Sequence, residues 1–130
     1  MPIRHKQWND PIETEDGTRI LICRYRPRGL RKADETWTEW KKELAPSKEL
    51  HAAFYGRNGL PINWETYRKL YLNEMKTQKV PIADLARRVA SGETITLLCS
   101  SACNDASHCH RTLLKGLIEE SLAELSNPSD

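Results

Sequence analysis

Two short apolar runs, far apart in the sequence, place the strongest constraint on the fold of this chain. Residues 19 to 25 read RILICRY and are followed by Pro27 and Gly29, and residues 94 to 100 read TITLLCS. Short apolar runs rich in β-branched residues are typical of strands that are buried on both faces. The sequence therefore predicts two buried strands, and it favours a third, less clearly, near residues 3 to 8.

The long segment between the two strands and the segment after the second one are predicted to be helical. Apolar residues recur there at helical spacing, and capping residues, glycines or prolines bound each stretch. The predicted helices begin at Asp34, Ser47, Asn63, near Pro81 and at about Ser107, and the last one continues to Leu125. Strands joined by helical crossovers pair in parallel. The sequence therefore predicts an α/β fold, a single small domain with a short, mostly parallel sheet surrounded by about five helices.

Length and hydropathy indicate one soluble domain. The 130 residues match the commonest domain size, and we expect residues 1 to 130 to form that domain, with 1 to 18 as an N-terminal arm and 127 to 130 as a frayed tail. The mean hydropathy is −0.67, and no apolar run is long enough for a membrane span. The first ten residues, MPIRHKQWND, lack the apolar region of a secretory signal. We therefore expect a cytoplasmic protein, while the oligomeric state stays open.

Basic residues are concentrated in one segment, although the net charge is only +2. Six arginines and lysines, and no acidic residue, lie from Arg19 to Lys32, within and directly after the first predicted strand. The second strand runs into residues 100 to 111, SSACNDASHCHR. In open parallel sheets, ligands bind at the carboxyl ends of the strands. The sequence therefore predicts that both segments meet at one edge of the sheet and form a site for a small phosphate-bearing or carboxylate ligand.

The candidate site residues come from these two segments. Ser107 is predicted to cap the last helix, whose N-terminal N–H groups favour an anion or a thiolate. Cys109 is the candidate nucleophile or redox thiol, although a buried structural role fits it equally well, and His110 is the candidate proton shuttle. A guanidinium binds phosphate or carboxylate through two N–H groups. The candidate anion ligands are Arg24, Arg26, Arg28 and Arg111. Whether the protein is an enzyme stays open.

Two other functions fit the same segments. A non-catalytic nucleic-acid-binding module would use the basic segment 19 to 32. A metal- or redox-sensing protein would use Cys99, Cys103 and Cys109, which supply soft ligands for zinc or an iron–sulfur cluster. Their spacing, C-x3-C-x5-C, is not that of a standard zinc knuckle. The sequence therefore predicts no cofactor, and it keeps the metal as an alternative.

Four stretches carry a resemblance to a known family. They read RILICRYRPRGLRK, ELAPSKEL, NWETYRKLYLNEM and TLLCSSACNDASHCHR, and they span most of residues 19 to 115. In this combination the chain resembles the family called domain of unknown function 488, whose short members have a Trp-Pro-Arg-Gly turn where this chain has Arg26 in place of the tryptophan. The resemblance implies a small α/β fold but no established activity. It also implies a shared site made of Arg24, Pro27, Arg28, Gly29, Cys109, His110 and Arg111.

Overall fold

The computed structural model describes residues 2–57, 59–101, 103 and 105–125. The sheet formed by these residues has four strands, β1 (Ile3–Gln7), β2 (Thr18–Leu21), β3 (Glu39–Trp40) and β4 (Ile95–Cys99). All three strand pairs are parallel, and the strand order is β1-β4-β2-β3. Every residue of β4 is buried. The predicted parallel α/β fold is confirmed, and so is the third strand near the N-terminus.

The described residues form four α-helices, joined to the strands by loops and short 3-10 turns. They are α1 (Lys48–Phe54), α2 (Trp64–Met75), α3 (Lys79–Ala90) and α4 (His110–Leu125). Ser47 caps α1 and Asn63 caps α2, as predicted, because each side chain accepts a backbone N–H from the first turn of its helix. None of the helices in the described ranges is long and apolar enough to cross a membrane. The predicted tail at residues 127 to 130 lies outside the described residues.

The helix predicted to begin at Asp34 is wrong, which accounts for the smaller number of helices. Strand β3 lies there, between two 3-10 turns. Trp37 and Trp40 have helical spacing, but the threonines between and before them favour extended backbone. The edge of β2 also offers backbone partners, and the N–H of Thr38 donates to the carbonyl of Arg19 at 3.0 Å. Pairing with that edge therefore outweighs the local helical pattern.

Ser107 is not the N-cap of α4, because this helix begins only at His110. The carboxylate of Asp105 accepts both the backbone N–H of Ser107, at 3.0 Å, and its hydroxyl, at 2.6 Å. These bonds hold a separate 3-10 turn, after which Cys109 has extended backbone with φ −138° and ψ 143°. The carbonyl of Cys109 then accepts the N–H of Thr112 at 3.2 Å. Cys109 therefore precedes the first turn of α4 instead of lying within it.

The buried apolar residues form two clusters on opposite faces of the sheet. The larger cluster includes Ile20 and Leu97 and packs against the helices. Leu21 and Leu98 belong to the smaller cluster, because successive side chains of a strand point to opposite faces. Three cysteines also lie in the smaller cluster: Cys23, Cys99 and Cys109. Cys23 and Cys99 are therefore small core residues, at 9% and 0% exposure, and this apolar cluster lies under the candidate site.

We expect Gly17→Ala to lower the free energy of unfolding by about 3 kcal/mol. Gly17 has φ 62°, and an added Cβ would lie 2.2 Å from the carbonyl oxygen of Thr94. That oxygen accepts the N–H of Thr18, the first residue of β2, so it cannot move away without disturbing this hydrogen bond. The clash adds to the cost of about 1 kcal/mol for a non-glycine residue in the left-handed backbone conformation. Gly29→Ala is the matched control, since Gly29 has φ 72° and open space around it. Equal losses for both variants in urea denaturation would contradict this prediction.

Candidate functional site

A cavity of about 840 Å³ opens at the carboxyl edge of the sheet. The loops that follow β2 and β4 form two of its walls, because these strands are parallel neighbours and end at the same edge. The end of α1 and the residues that follow it form the third wall. The sequence predicts that the two loops meet at this edge of the sheet. It does not predict that α1 forms a wall of the cavity.

The structure brings five of the seven predicted site residues to the wall of this cavity: Arg24, Arg26, Arg28, Cys109 and His110. Arg111 is buried behind the cavity, beside the cysteines, and is 7% exposed. Ser107 is exposed in its 3-10 turn and lies outside the cavity lining. The predicted cluster is therefore largely assembled, but Arg111 lies too deep for direct contact with a ligand in the cavity.

Sequence reasoning missed four residues of α1 and the segment after it that line the cavity, namely His51, Phe54, Tyr55 and Arg57. The rings of His51 and Tyr55 lie 4.8 Å apart, centroid to centroid. A spacing of four residues places His51 and Tyr55 on the same face of a helix. This spacing is the sequence signal that could have paired the two residues. The sequence alone does not show that this face of the helix lies at the carboxyl edge of the sheet.

Three thiols form a cluster at the floor of the cavity. Cys99 ends β4, Cys103 follows in the loop, and Cys109 precedes α4, and their Sγ atoms all lie within 4.8 Å of one another. Cys99 and Cys109 are buried, at 0% and 2% exposure, whereas Cys103 is half-buried. The hydroxyl of Tyr55 lies 4.0 Å from the Sγ of Cys103. Cys103 is therefore the member of the cluster that a ligand can reach most easily.

Hydrogen bonds between these thiols favour one ionised member. Hydrogen bonds from Cys109 and Cys99 lower the pKa of Cys103, although its burial acts in the opposite direction. The hydrogen bond to Cys103, together with burial, raises the pKa of Cys109. Hydrogen bonds to Cys103 and Cys109 raise the pKa of Cys99 as well. Because the three groups share their protons, the first ionisation belongs to the cluster as a whole, with the charge placed mainly on Cys103.

The guanidinium of Arg111 lies against this cluster. Its Nη1 donates to the Sγ of Cys99, at 2.5 Å, and to the carbonyl of Cys103, at 3.4 Å. No carboxylate in the described part of the chain pairs with Arg111, and its buried Nε has no hydrogen-bond partner there. A guanidinium stays charged at neutral pH, and a buried charge without a counter-charge is costly. We therefore infer that the thiol cluster supplies the negative charge that balances Arg111.

His110 is placed to exchange a proton with Cys109. Its Nε2 lies 2.8 Å from the carbonyl oxygen of Ile22, and since a carbonyl only accepts, this nitrogen carries the hydrogen. Burial lowers the pKa of His110, so the ring is neutral. Its Nδ1 then has a lone pair, 4.0 Å from the Sγ of Cys109. The arrangement allows His110 to accept the proton of the Cys109 thiol.

The cavity also carries arginines that pair with no carboxylate among the residues the structure describes. Arg26 is neutralised, because its Nε donates to Glu35 at 2.7 Å. Arg24 donates to a backbone carbonyl, and Arg28 and Arg57 are exposed. Within the ranges that the structure describes, no acidic side chain forms an ion pair with Arg24, Arg28 or Arg57. Three uncompensated positive charges therefore surround the opening that leads to the thiols.

Fold and site together define a small α/β protein with three clustered thiols at the carboxyl edge of a parallel sheet. The chain belongs to the DUF488 family: its residues 3–122 match the family model DUF488-N3a, described as the active DUF488-N3 subclade. The resemblance seen in the sequence is thereby confirmed and extended towards both ends of the chain.

The curated relatives that the chain matches are described as uncharacterised. The chain is 37% identical over 111 residues to the uncharacterised protein YeaO of Escherichia coli K12, which covers 83% of this chain and 90% of YeaO. It is 28% identical over 109 residues to the uncharacterised protein Rv3073c of Mycobacterium tuberculosis H37Rv, covering 84% of this chain and 86% of that protein. No solved structure matches the chain significantly. These relatives support the family, and their descriptions name no reaction.

Proposed function

We propose that this protein binds a small phosphate-bearing or carboxylate ligand in the cavity at the carboxyl edge of the sheet. We propose further that the thiol cluster supplies the nucleophilic thiolate of this site. One observation carries the proposal: a single cavity holds three arginines that pair with no carboxylate of the described residues, beside an ionisable thiol. Uncompensated cations around a concave opening attract an anion. The description of the family as an active subclade agrees with a reactive site.

The two members of the thiol cluster that line the cavity, Cys103 and Cys109, have different roles. Cys103 is the more exposed and ionises first, and the thiolate is the nucleophilic form of cysteine. Cys109, to which sequence reasoning gives the nucleophilic role, is more deeply buried and lies next to the lone pair of His110. We therefore assign the attacking thiolate to Cys103, and we assign proton transfer to Cys109 and His110.

A metal centre is the second candidate function. Three sulfur atoms within 4.8 Å of one another match the donor set of a zinc or iron–sulfur site. Arg111 opposes this function, because its guanidinium already donates to the Sγ of Cys99 and would repel a second cation. Stoichiometric zinc or iron in protein purified without chelator would support the metal centre over the reactive thiolate.

The basic segment 19 to 32 gives less support to nucleic-acid binding than the cavity gives to a small anion. Arg19 is 3% exposed and pairs with Asp16 at 2.6 Å. Arg26 and Arg31 also pair with carboxylates. A nucleic-acid backbone is bound by several unpaired cations along one face, and half of this segment's charge is already balanced within the protein.

Titration calorimetry with inorganic phosphate, and separately with citrate, tests the anion site. We expect one of these anions to bind at low salt, and we expect Arg28→Gln and Arg57→Gln each to weaken its binding by about tenfold, since a charge-assisted hydrogen bond contributes about 1.5 kcal/mol. Both side chains are exposed, so neither variant should disturb the fold. Arg87→Gln is the matched control, because Arg87 pairs with Asp84 on the surface of α3. Failure of both anions to bind, or equal affinities in all three variants, would overturn the anion site.

A further inference from the structure

We propose that Cys103 and Cys109 form a two-electron redox centre, in which a hydroperoxide oxidises Cys103 and Cys109 then closes a disulfide with it. The inference rests on the reactive thiolate of the proposed function, but not on its anion site. It adds a second substrate class, the hydroperoxides, and a partner thiol for the attacking sulfur.

Geometry selects this pair among the clustered cysteines. Cys103 and Cys109 both line the cavity, whereas Cys99 does not. Cys99 is fixed in the sheet, because its carbonyl accepts the N–H of Trp8 at 2.8 Å and its Sγ accepts a hydrogen bond from Arg111. Cys103 and Cys109 lie in the loop between β4 and α4, outside the paired strand and the helix. Their Sγ atoms lie within 4.8 Å of each other. A movement of the loop can therefore bring the two sulfurs to disulfide bonding distance without breaking the sheet.

The chemistry balances with thiols that the structure already holds. The Cys103 thiolate attacks the terminal oxygen of a hydroperoxide, the O–O bond breaks, and an alcohol or water leaves after taking up a proton, so that Cys103 becomes a sulfenic acid. The sulfur of Cys109 then attacks the sulfenic sulfur, an S–S bond forms, and hydroxide leaves as water with the thiol proton of Cys109. His110 can carry that proton, because its Nδ1 lies 4.0 Å from the Cys109 Sγ. Two thiols are oxidised and one hydroperoxide is reduced.

The buried Arg111 and the cavity suit both steps. The guanidinium donates to the Sγ of Cys99 and to the carbonyl of Cys103, and since the Cys103 sulfur lies within 4.8 Å of that Sγ, the positive charge is close enough to favour a thiolate there. The cavity admits a small hydroperoxide to Cys103, which is half-buried, and keeps Cys109 covered at 2% exposure. The oxidised sulfur therefore meets Cys109 sooner than a thiol from solution.

Mass spectrometry of protein treated with a stoichiometric amount of hydrogen peroxide tests the redox centre. We expect the reduced protein to lose about 2 Da and peptide mapping to give a Cys103–Cys109 disulfide. Cys109→Ser should stop at a sulfenic acid on Cys103 that dimedone traps, and Cys103→Ser should slow thiol oxidation by about tenfold or more. Cys23→Ser is the matched control, because Cys23 also lines the cavity but does not belong to the thiol cluster of Cys99, Cys103 and Cys109. Burial raises the pKa of Cys23 to about 12. Circular dichroism confirms that each variant is folded, and Cys103→Ala replaces the serine variant if it is not.

Three results would overturn the redox centre. One is a Cys99–Cys109 disulfide that forms at the wild-type rate in Cys103→Ser, and another is stoichiometric metal on the cluster of the isolated protein. The third is a wild-type protein that stays reduced while an equal concentration of glutathione oxidises. If Cys103 is then still alkylated rapidly below pH 7, the thiolate of the proposed function stands and only the redox step fails. If the disulfide forms but phosphate and citrate do not bind, the anion site alone fails.

Discussion

Asp16→Asn is expected to lower the free energy of unfolding by about 3 to 5 kcal/mol. The carboxylate of Asp16 is fully buried and pairs with Arg19 at 2.6 Å and with Lys6 at 2.9 Å. Arg19 is itself 3% exposed, so the asparagine variant leaves a buried guanidinium without its counter-charge. Breaking one side of a buried ion pair is costly for this reason. Urea denaturation near pH 7 measures the loss.

Glu13→Gln is the matched control for Asp16→Asn. Glu13 pairs with the same Lys6, at 2.5 Å, but its side chain is half exposed. Exposed ion pairs contribute little because water and salt screen them, so we expect a much smaller loss of stability. A comparable loss in both variants would show that the buried pair with Arg19 is not the main source of stabilisation.

The same carboxylate gives the stability a pH dependence. Burial alone would raise the pKa of Asp16, but hydrogen bonds from the Glu13 backbone, Lys6 and Arg19 outweigh it and lower the pKa to about 2, from 3.8 in the unfolded chain. The folded form therefore binds the proton less readily than the unfolded form. The contribution of Asp16 is present above about pH 4 and is lost as the pH falls towards 2. In thermal unfolding, Asp16→Asn should show a smaller fall of Tm over this range than the wild type.

Arg111→Met is expected to slow alkylation of Cys103 at pH 6 by about tenfold to a hundredfold. Arg111 is the buried cation beside the thiol cluster, and Met keeps most of the side-chain volume without the charge. The guanidinium donates to the Sγ of Cys99, which lies within 4.8 Å of the Cys103 sulfur, so we expect it to stabilise a thiolate of the cluster by about 1.5 to 3 kcal/mol, or about one to two pKa units. Without Arg111 the pKa of Cys103 should therefore rise, and less thiolate is present at pH 6. The rate is measured with iodoacetamide and peptide mapping.

Two variants separate the charge of Arg111 from its packing. Arg111→Lys keeps the charge and should recover part of the alkylation rate. Arg28→Gln removes a cation from the cavity wall without touching the cluster, so its effect on the rate should be small. An Arg111→Met protein that is folded and alkylated at the wild-type rate would contradict the role of Arg111 as the counter-charge of the cluster.

The parallel sheet and three of its helices could be predicted because their signals are local. The TITLLCS run gave β4 within one residue at each end, and Ser47 and Asn63 marked the starts of α1 and α2. The failures involve competition that a local pattern does not show. Strand β3 replaces a predicted helix because the edge of β2 offers it hydrogen bonds, and Ser107 does not cap α4 because Asp105 binds it within a separate 3-10 turn that ends before the helix.

The candidate site was predictable only in part. The convergence of the two loops follows from parallel strand pairing, and it brings Arg24, Arg28 and Cys109 to one cavity. The leading role of Cys103 does not follow from the sequence, because it depends on the hydrogen bonds from two other thiols and on their relative burial. The contribution of Arg57 depends on how α1 packs, which is a tertiary property.

The alkylation rate of each cysteine as a function of pH tests the reactive thiolate most directly. Wild-type protein is treated with iodoacetamide between pH 5 and pH 9, and the modified peptides are quantified by mass spectrometry. We predict that Cys103 reacts first and that its rate has a midpoint well below the ordinary thiol pKa of about 8.5, with Cys109 and Cys23 far slower. A midpoint near 8.5 for Cys103, or faster alkylation of Cys109, would contradict the assignment of the thiolate to Cys103.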